Sequence, residues 1–277
     1  MKIDILGVKI DRIRMKEALR EIEALLKRDG KFYIVTPNPE IVMKAIKDEN
    51  YKEILNKAAL SLPDGIGIIW AGKFLSKKFN YKWKFINLLA NIIYGIYLLG
   101  YIILRRNLIH DVFPERVTGV DLTLALAKFA SENQYTISLL GAGRGIAKKA
   151  GERLLSLYPN LKLKEALSGP FIDKEGNPAF PINLSPTDIL FVAFGSPKQE
   201  KFIFKHLKDL NCKIAIGVGG TFDFIAGKTK RAPKFVQKIG LEWLWRLFCQ
   251  PTRICRIWTA FPKFVWKVIN YKLNHIN

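Results

Sequence analysis

Acidic residues, histidine and cysteine are all scarce in this sequence, and each shortage removes a class of protein. Only 24 Asp and Glu stand against 45 Lys and Arg, which gives the 277-residue chain a formal charge of +21 at pH 7. A surface so cationic seeks a polyanion: nucleic acid, an anionic membrane face or a phosphorylated molecule. Cys212, Cys249 and Cys255 form no CxxC pair, and an odd count closes no disulfide framework, so a reducing, cytoplasmic compartment is expected. His110, His206 and His275 lie far apart without HExxH-type spacing, so no metal centre is expected. No GxxxxGK[ST] occurs, which excludes P-loop chemistry, and no RNP, helix-turn-helix or zinc-finger signature accompanies the charge, so nucleic acid is not an expected partner. The N-terminal MKIDILGVKIDR alternates and carries charge from its second residue, unlike a secretory leader.

What is present is a run of apolar strands alternating with helical patterns. Phe32–Thr36 reads as a strand after a helix from Met15 to Arg28 that puts Leu19, Ile22, Leu25 and Leu26 on one face. PNPE then turns into a helix over Ile41–Lys47, and a helix over Tyr51–Ala58 leads to a short strand, Leu60–Leu62, ended by Pro63-Asp64-Gly65. Further strands are expected at Thr136–Leu140, Leu161–Ala166, Asp188–Phe194 and Lys213–Val218, with helices between them. Such alternation implies βα units: an α/β, Rossmann-like fold whose mostly parallel sheet is covered by helices on both faces. The expected organisation is an α/β core over residues 1–231 and a basic, aromatic C-terminal appendage over 232–277.

Two segments stand outside that core. Residues 85–104, FINLLANIIYGIYLLGYIIL, contain no charge, with KKFNYKWK before them and Arg105-Arg106 after. The length admits a spanning helix of about 20 residues, but one span would put the flanking βα units on opposite sides of a membrane. A helix or hairpin dipping into one leaflet, bent at Gly95 or Gly100, satisfies both constraints. Packing against protein, as a core helix pair or a contact with a second copy of the chain, is the alternative for this insertion at about 75–113. The tail from Lys228 to Asn277 holds eleven Lys or Arg against the single acid Glu242, interleaved with aromatics such as Trp243, Trp258 and Trp266. That mixture suits an anionic headgroup layer, where each basic residue contributes about 1 kcal/mol.

Polar groups gather after the strand ends, where open α/β sheets bind ligands. Thr36 and Asn38 follow one strand and Asp64 another; Gln199 follows a third, in GSPKQ, and Asp223 the last, in GGTFD. Gly141, Ala142, Gly143, Arg144 and Gly145 form a GAGRG loop before a helix, a setting that attracts phosphate. Position 146 is Ile rather than the third glycine of a dinucleotide fingerprint, so a nucleotide-diphosphate site and a plain strand-to-helix turn both remain open. Asp64 reads equally as a helix N-cap or as a general base. Asp223 reads also as a turn carboxylate, and Gln199 as a solvent-facing helix start.

Six blocks together carry a resemblance: TPNPEIVMKA (36–45), LPDGIGIIWAGK (62–73), ERVTGVDL (115–122), LLGAGRGIAKKA (139–150), FVAFGSPKQEKFI (191–203) and GVGGTFDFIAGKTKRAPKFVQKIGLEWLWRL (217–247). In this order they resemble the WecG/TagA/CpsF family of bacterial glycosyltransferases. The resemblance implies inverting transfer of an N-acetylmannosamine-type sugar from a UDP donor to polyprenyl-diphosphate-linked GlcNAc, for surface polysaccharide or teichoic acid, with neither metal nor cofactor. It implies Asp64 as the base, Thr36, Asn38 and Gln199 lining the substrate pocket, and Asp223 near the nucleotide. Arg246, Arg253 and Arg256 are implied as closing over the diphosphate. The implied location is the cytoplasmic face of the cell membrane, peripheral or monotopic. Two rivals come from other classes. GAGRG, with Glu165 some twenty residues on, suggests a Rossmann-type oxidoreductase, and the +21 charge suggests a non-catalytic protein that binds anionic lipid.

Overall fold

The computed structural model describes residues 1–79, 82–104, 111–238 and 240–275, excluding the side chains at 84, 102–104, 238, 253 and 275. Two strands open the chain, β1 (Lys2–Ile5) and β2 (Val8–Asp11), an antiparallel hairpin that the alternation of MKIDILGVKIDR already encodes. Then follow α1 (Met15–Lys27), β3 (Phe32–Val35), α2 (Pro39–Ala45), α3 (Glu49–Asn56), β4 (Leu60–Ser61), α4 (Ile66–Ser76) and α5 (Lys84–Leu104). The second half runs α6 (Gly119–Asn133), β5 (Thr136–Gly141), α7 (Ile146–Leu157), β6 (Lys162–Leu167), β7 (Thr187–Ala193), α8 (Lys198–His206) and β8 (Cys212–Gly217). Short helices α9 (Thr221–Ile225), α10 (Lys234–Lys238), α11 (Glu242–Cys249) and α12 (Ile254–Trp258) lead to α13 (Phe264–His275).

Six strands pair in parallel in the order β4-β3-β8-β7-β5-β6. Each strand feeds two cores. Tyr33 and Val35 point into one with Leu190 and Val192, while Ile34 points into the other with Ile189 and Phe191. This is why these strands read as continuous apolar runs rather than alternating ones. Helix α1 covers the second face through Ala18, Ile22 and Leu26, with Leu19 and Leu25 partly buried beside them. From β3 the chain winds outward to β4, and from β5 it winds outward the other way to β6. The crevice between these two windings therefore lies over the carboxyl ends of β3, β8 and β7.

Of the helix and the bent hairpin expected for the apolar stretch, the structure shows the helix. Helix α5 is continuous through Gly95, and Gly95 serves instead as a crossing point. A Cβ there would lie 3.5 Å from the Phe74 ring and 3.6 Å from Trp70, whose indole N–H donates to the Gly95 carbonyl at 3.3 Å. Its inward face carries Asn87, Asn91 and Leu98, packed on α4 and α13. Its outward face carries Phe85, Ile86, Leu89, Ile93, Ile96 and Tyr97, all exposed, an apolar stripe turned to the surface. Among the described residues no helix is long and apolar enough to cross a membrane. The flanking Arg105 and Arg106 lie outside the described residues.

The C-terminal helix belongs to the core as much as to the tail. Phe264 and Val268 of α13 are fully buried with Trp70 and Phe74 of α4. Lys272, also fully buried, donates to the Phe74 carbonyl at 2.9 Å and lies 4.2 Å from the centre of the Phe74 ring. Burial, reinforced by Lys77, pulls that ammonium down to about 8.

Candidate active site

Four of the five expected strand ends meet around one cavity of about 450 Å³. At the end of β3, Thr36 is buried and its hydroxyl donates to the Gly217 carbonyl of β8 at 3.2 Å, joining the two strand ends. Asn38 caps α2, its side-chain oxygen accepting from the Ile41 N–H at 3.0 Å, with Pro39 at the first helical position. Both residues line the cavity.

Asp64 follows β4 and lies within the same wall. It does not cap α4: that position belongs to Gly65, at φ +87°, with no side-chain cap bond. The Asp64 N–H donates to the Pro37 carbonyl at 3.0 Å, which fixes the turn, and its carboxyl lies near the Gly119 N–H at the start of α6. Burial pushes the carboxyl up to about 7; Glu242 and Asp121 push the same way, and Arg116 and the Gly119 N–H oppose them. A carboxyl poised near neutrality, with its cap role taken by another residue, is free to exchange a proton with a substrate hydroxyl.

Gln199 is fully buried rather than solvent-facing. Its side-chain oxygen accepts from the Gly195 N–H at 3.1 Å and the Gly219 N–H at 3.0 Å, so it clamps the loops after β7 and β8 together. Its amide donates to Glu200 at 2.8 Å, and the same buried carboxylate receives Ser196 at 2.7 Å and Tyr51 at 3.1 Å. Burial raises the Glu200 pKa. Gln199 thus borders the cavity but spends its polar atoms on the scaffold.

The fifth strand end contributes less than expected. Of the GAGRG loop only Ala142 reaches the cavity lining, and Arg144 is exposed. Gly141, at φ +111°, passes so close to Ala193 that a Cβ would lie 2.8 Å from its carbonyl carbon, which accounts for the glycine. Gly145 caps α7, and Ser168 bridges the loop by accepting from the Gly145 N–H at 3.1 Å and donating to the Gly143 carbonyl at 3.3 Å. The link from loop to cavity is Lys228, which pairs with Asp223 at 3.5 Å and approaches Gly143. One oxygen of Glu165 accepts from the Ser185 hydroxyl at 2.6 Å, and the residue does not line the cavity.

Cations supply the remaining wall. Arg246 of α11 lies over the Phe224 ring at 4.9 Å, and Arg256 of α12 grips Glu40 of α2 through contacts of 2.9 to 3.1 Å, strapping the tail across the cavity. Against its burial, Glu40 is held below its ordinary pKa by Arg256 and Lys44. The side chain of Arg253 lies outside the described residues, and its backbone belongs to the turn at Pro251–Arg253. Sequence reasoning missed several charged members, among them Arg116, Arg231 and Glu242. Arg116 pairs with Glu242 at 2.9 Å, and Arg231 pairs with Asp121 at 2.7 Å and with Glu242 at 3.5 Å. Arg116 and Asp121 sit in the ERVTGVDL block, whose charge density was the available signal. The buried indole N–H of Trp245, in the same wall, has no partner among the described residues. No group of three His, Cys, Asp or Glu with metal-ligand placement occurs among the described residues.

An open α/β crevice lined by a near-neutral carboxyl and several arginines can hold an anionic ligand beside a proton acceptor. The chain belongs to the family described as glycosyl transferase WecG/TagA/CpsF, whose model matches residues 3–97 and 99–277. It is a glycosyltransferase. Among its relatives are the proteins named N-acetylglucosaminyldiphosphoundecaprenol N-acetyl-beta-D-mannosaminyltransferase from Staphylococcus aureus strains MRSA252 and NCTC 8325. Each is 30% identical over 274 residues, spanning 98% of this chain and 93% of the relative. These likenesses support neither the oxidoreductase nor the non-catalytic alternative.

Proposed function

We propose that this chain transfers an N-acetylmannosamine-type sugar from a UDP donor to the GlcNAc of a polyprenyl-diphosphate-linked acceptor, for surface polysaccharide or teichoic acid. The observation that carries the reading is the juxtaposition of Asp64 with Arg116, Arg231, Arg246 and Arg256 around one cavity. Asp64 takes the proton from the acceptor hydroxyl as its oxygen forms the new bond to the sugar's anomeric carbon. The bond from that carbon to the UDP oxygen breaks on the opposite face, and UDP leaves with the electron pair, which inverts the centre. Charge developing on the departing diphosphate is met by guanidinium groups, which can grip it through paired hydrogen bonds. In the structure Arg116, Arg231 and Arg256 each pair with a carboxylate and line the cavity.

The acceptor's lipid resides in a bilayer, so the enzyme must work against a surface. The outward stripe of α5, with Phe248, Ile254, Trp258 and Trp266 exposed on the basic tail, supports peripheral or monotopic attachment to a membrane; the proposed face is the cytoplasmic one. The test is UDP release in the presence of EDTA, with a panel of UDP-sugars and a GlcNAc-diphosphate acceptor. Release is expected only when UDP-N-acetylmannosamine and acceptor are both present. Release without acceptor, or no release with intact UDP binding, would overturn the proposal.

A further inference from the structure

The basic tail spends its single acid, Glu242, on the wall of the cavity that Asp64 lines. Glu242 lies in the first turn of α11, where the positive end of a helix favours a carboxylate. Just before it, Gly240 passes so close to Ile66 of α4 that a Cβ would lie 2.9 Å from that side chain, which seats the turn on the core. From there one oxygen of Glu242 meets Arg116 at 2.9 Å and the other meets Arg231 at 3.5 Å. The two arginines come from separate stretches of the core, Arg116 from the approach to α6 and Arg231 from the segment after α9, and both line the cavity. Arg231 has a second partner, Asp121, at 2.7 Å. Arg116, its side chain only 11% exposed, has Glu242 as its one ion-pair partner among the described residues.

We infer that Glu242 is a positioning residue: a carboxylate delivered by the tail that holds Arg116 in place at the cavity lined by Asp64. The inference rests on Asp64 as the base of the proposed reaction and goes further by naming the group that sets its surroundings. A guanidinium so little exposed, once stripped of its carboxylate, carries an uncompensated charge and turns toward water or another anion. The groups that act on the Asp64 carboxyl are Arg116, Glu242, Asp121 and the Gly119 N–H. The other charges around the cavity are Glu40, Asp223, Lys230, Arg231, Arg246 and Arg256. Of these, Arg116 is the cation that favours ionised Asp64, while Glu242 opposes it. Glu242 therefore acts on the base twice: directly by its own charge, and through its grip on Arg116. Asp121 already secures Arg231, so the grip matters most at Arg116.

The experiment needs neither membrane nor turnover. The full chain, isotopically labelled at its Asp carboxyl carbons, is titrated by NMR, and the Asp64 signal is identified by its loss in Asp64→Asn. Its midpoint is expected at about 7 in the unmodified chain. Glu242→Gln keeps the volume and an acceptor oxygen but removes the charge, so it should lower the midpoint. Arg116→Gln should raise it, and by at most about half as much when Glu242 is already Ala, because Arg116 is then no longer held near Asp64. A rise of equal size in both backgrounds overturns the inference, since Arg116 would keep its place without Glu242. An unmoved midpoint in Glu242→Gln overturns it too. Should Glu242→Ala fail to fold, the Glu242→Gln background takes its place in the comparison. A merely structural role for Glu242 would shift stability but not these midpoints. The readout is also separate from the reaction: absence of UDP release with every acceptor would remove the transferase reading and leave the coupling of Glu242, Arg116 and Asp64 to stand or fall by itself.

Discussion

Asp64 illustrates how one carboxyl acquires two possible meanings in sequence and one in space. In LPDGIGI it precedes a helix, where Asp commonly caps. In the fold Gly65 takes the cap position, and the carboxyl lines a cavity that Arg116, Arg231, Arg246 and Arg256 also line. Since it works as a base only when deprotonated, and since burial pushes it up to about 7, kcat/KM should fall as pH drops through about 7 rather than through the ordinary carboxylate range. Replacing Arg116 by Gln removes the cation that favours the charged form, so the acid limb should move to higher pH; an unmoved limb would assign the titration to another group. Asp64→Asn should lower kcat by about 10²- to 10⁴-fold while UDP affinity, read by calorimetry, stays close to that of the unmodified chain. Gln199 shows the opposite case, a residue singled out for substrate whose oxygen and amide are committed to Gly195, Gly219 and Glu200.

Helices α5 and α13 decide how the tail relates to the core. Their composition was legible, an uncharged apolar run and a basic, aromatic tail, but which face turns inward was not. In α5 the Asn side chains face protein and much of the apolar stripe faces out, the reverse of an ordinary surface helix. Phe264 is fully buried between α13 and α4, so Phe264→Ala should cost about 3–5 kcal/mol in a urea titration. Ile96, by contrast, is 64% exposed. Ile96→Glu should therefore leave stability within about 0.5 kcal/mol while weakening sedimentation with anionic vesicles. Loss of stability without loss of vesicle binding would mean that the stripe packs against protein instead. The burial of α13 also bears on the expected division at residue 231. Removing the tail strips cover from Trp70 and Phe74, so such a truncation tests folding as well as activity.

Across the whole molecule the governing quantity is the charge of +21. Raising salt from about 0.1 M to 1 M shortens the screening length from about 10 Å to about 3 Å, so the cationic share of vesicle binding should vanish while the apolar share persists. Binding to anionic vesicles should therefore fall steeply over that range to a residual level, and the residual should disappear in Ile96→Glu. Salt-independent binding would remove the electrostatic half of the argument.

The sequence by itself determined the α/β class, the approximate strand positions, the absence of a P-loop and the placement of polar groups after strand ends. Each of these depends on local composition and period, which neighbouring residues carry. It also marked Asp64, Thr36, Asn38, Asp223, Arg246 and Arg256, all of which the fold brings to one cavity. Tertiary structure alone decided the rest, because contacts between residues 50 or 100 positions apart leave no local trace. Glu242, the tail's one acid, meets Arg116 and Arg231 and helps set the Asp64 proton; Arg256 reaches back to Glu40; and Phe264 of the tail packs with Trp70 and Phe74 of α4. Only the packed sheet, with both windings in place, puts these groups within reach of one another.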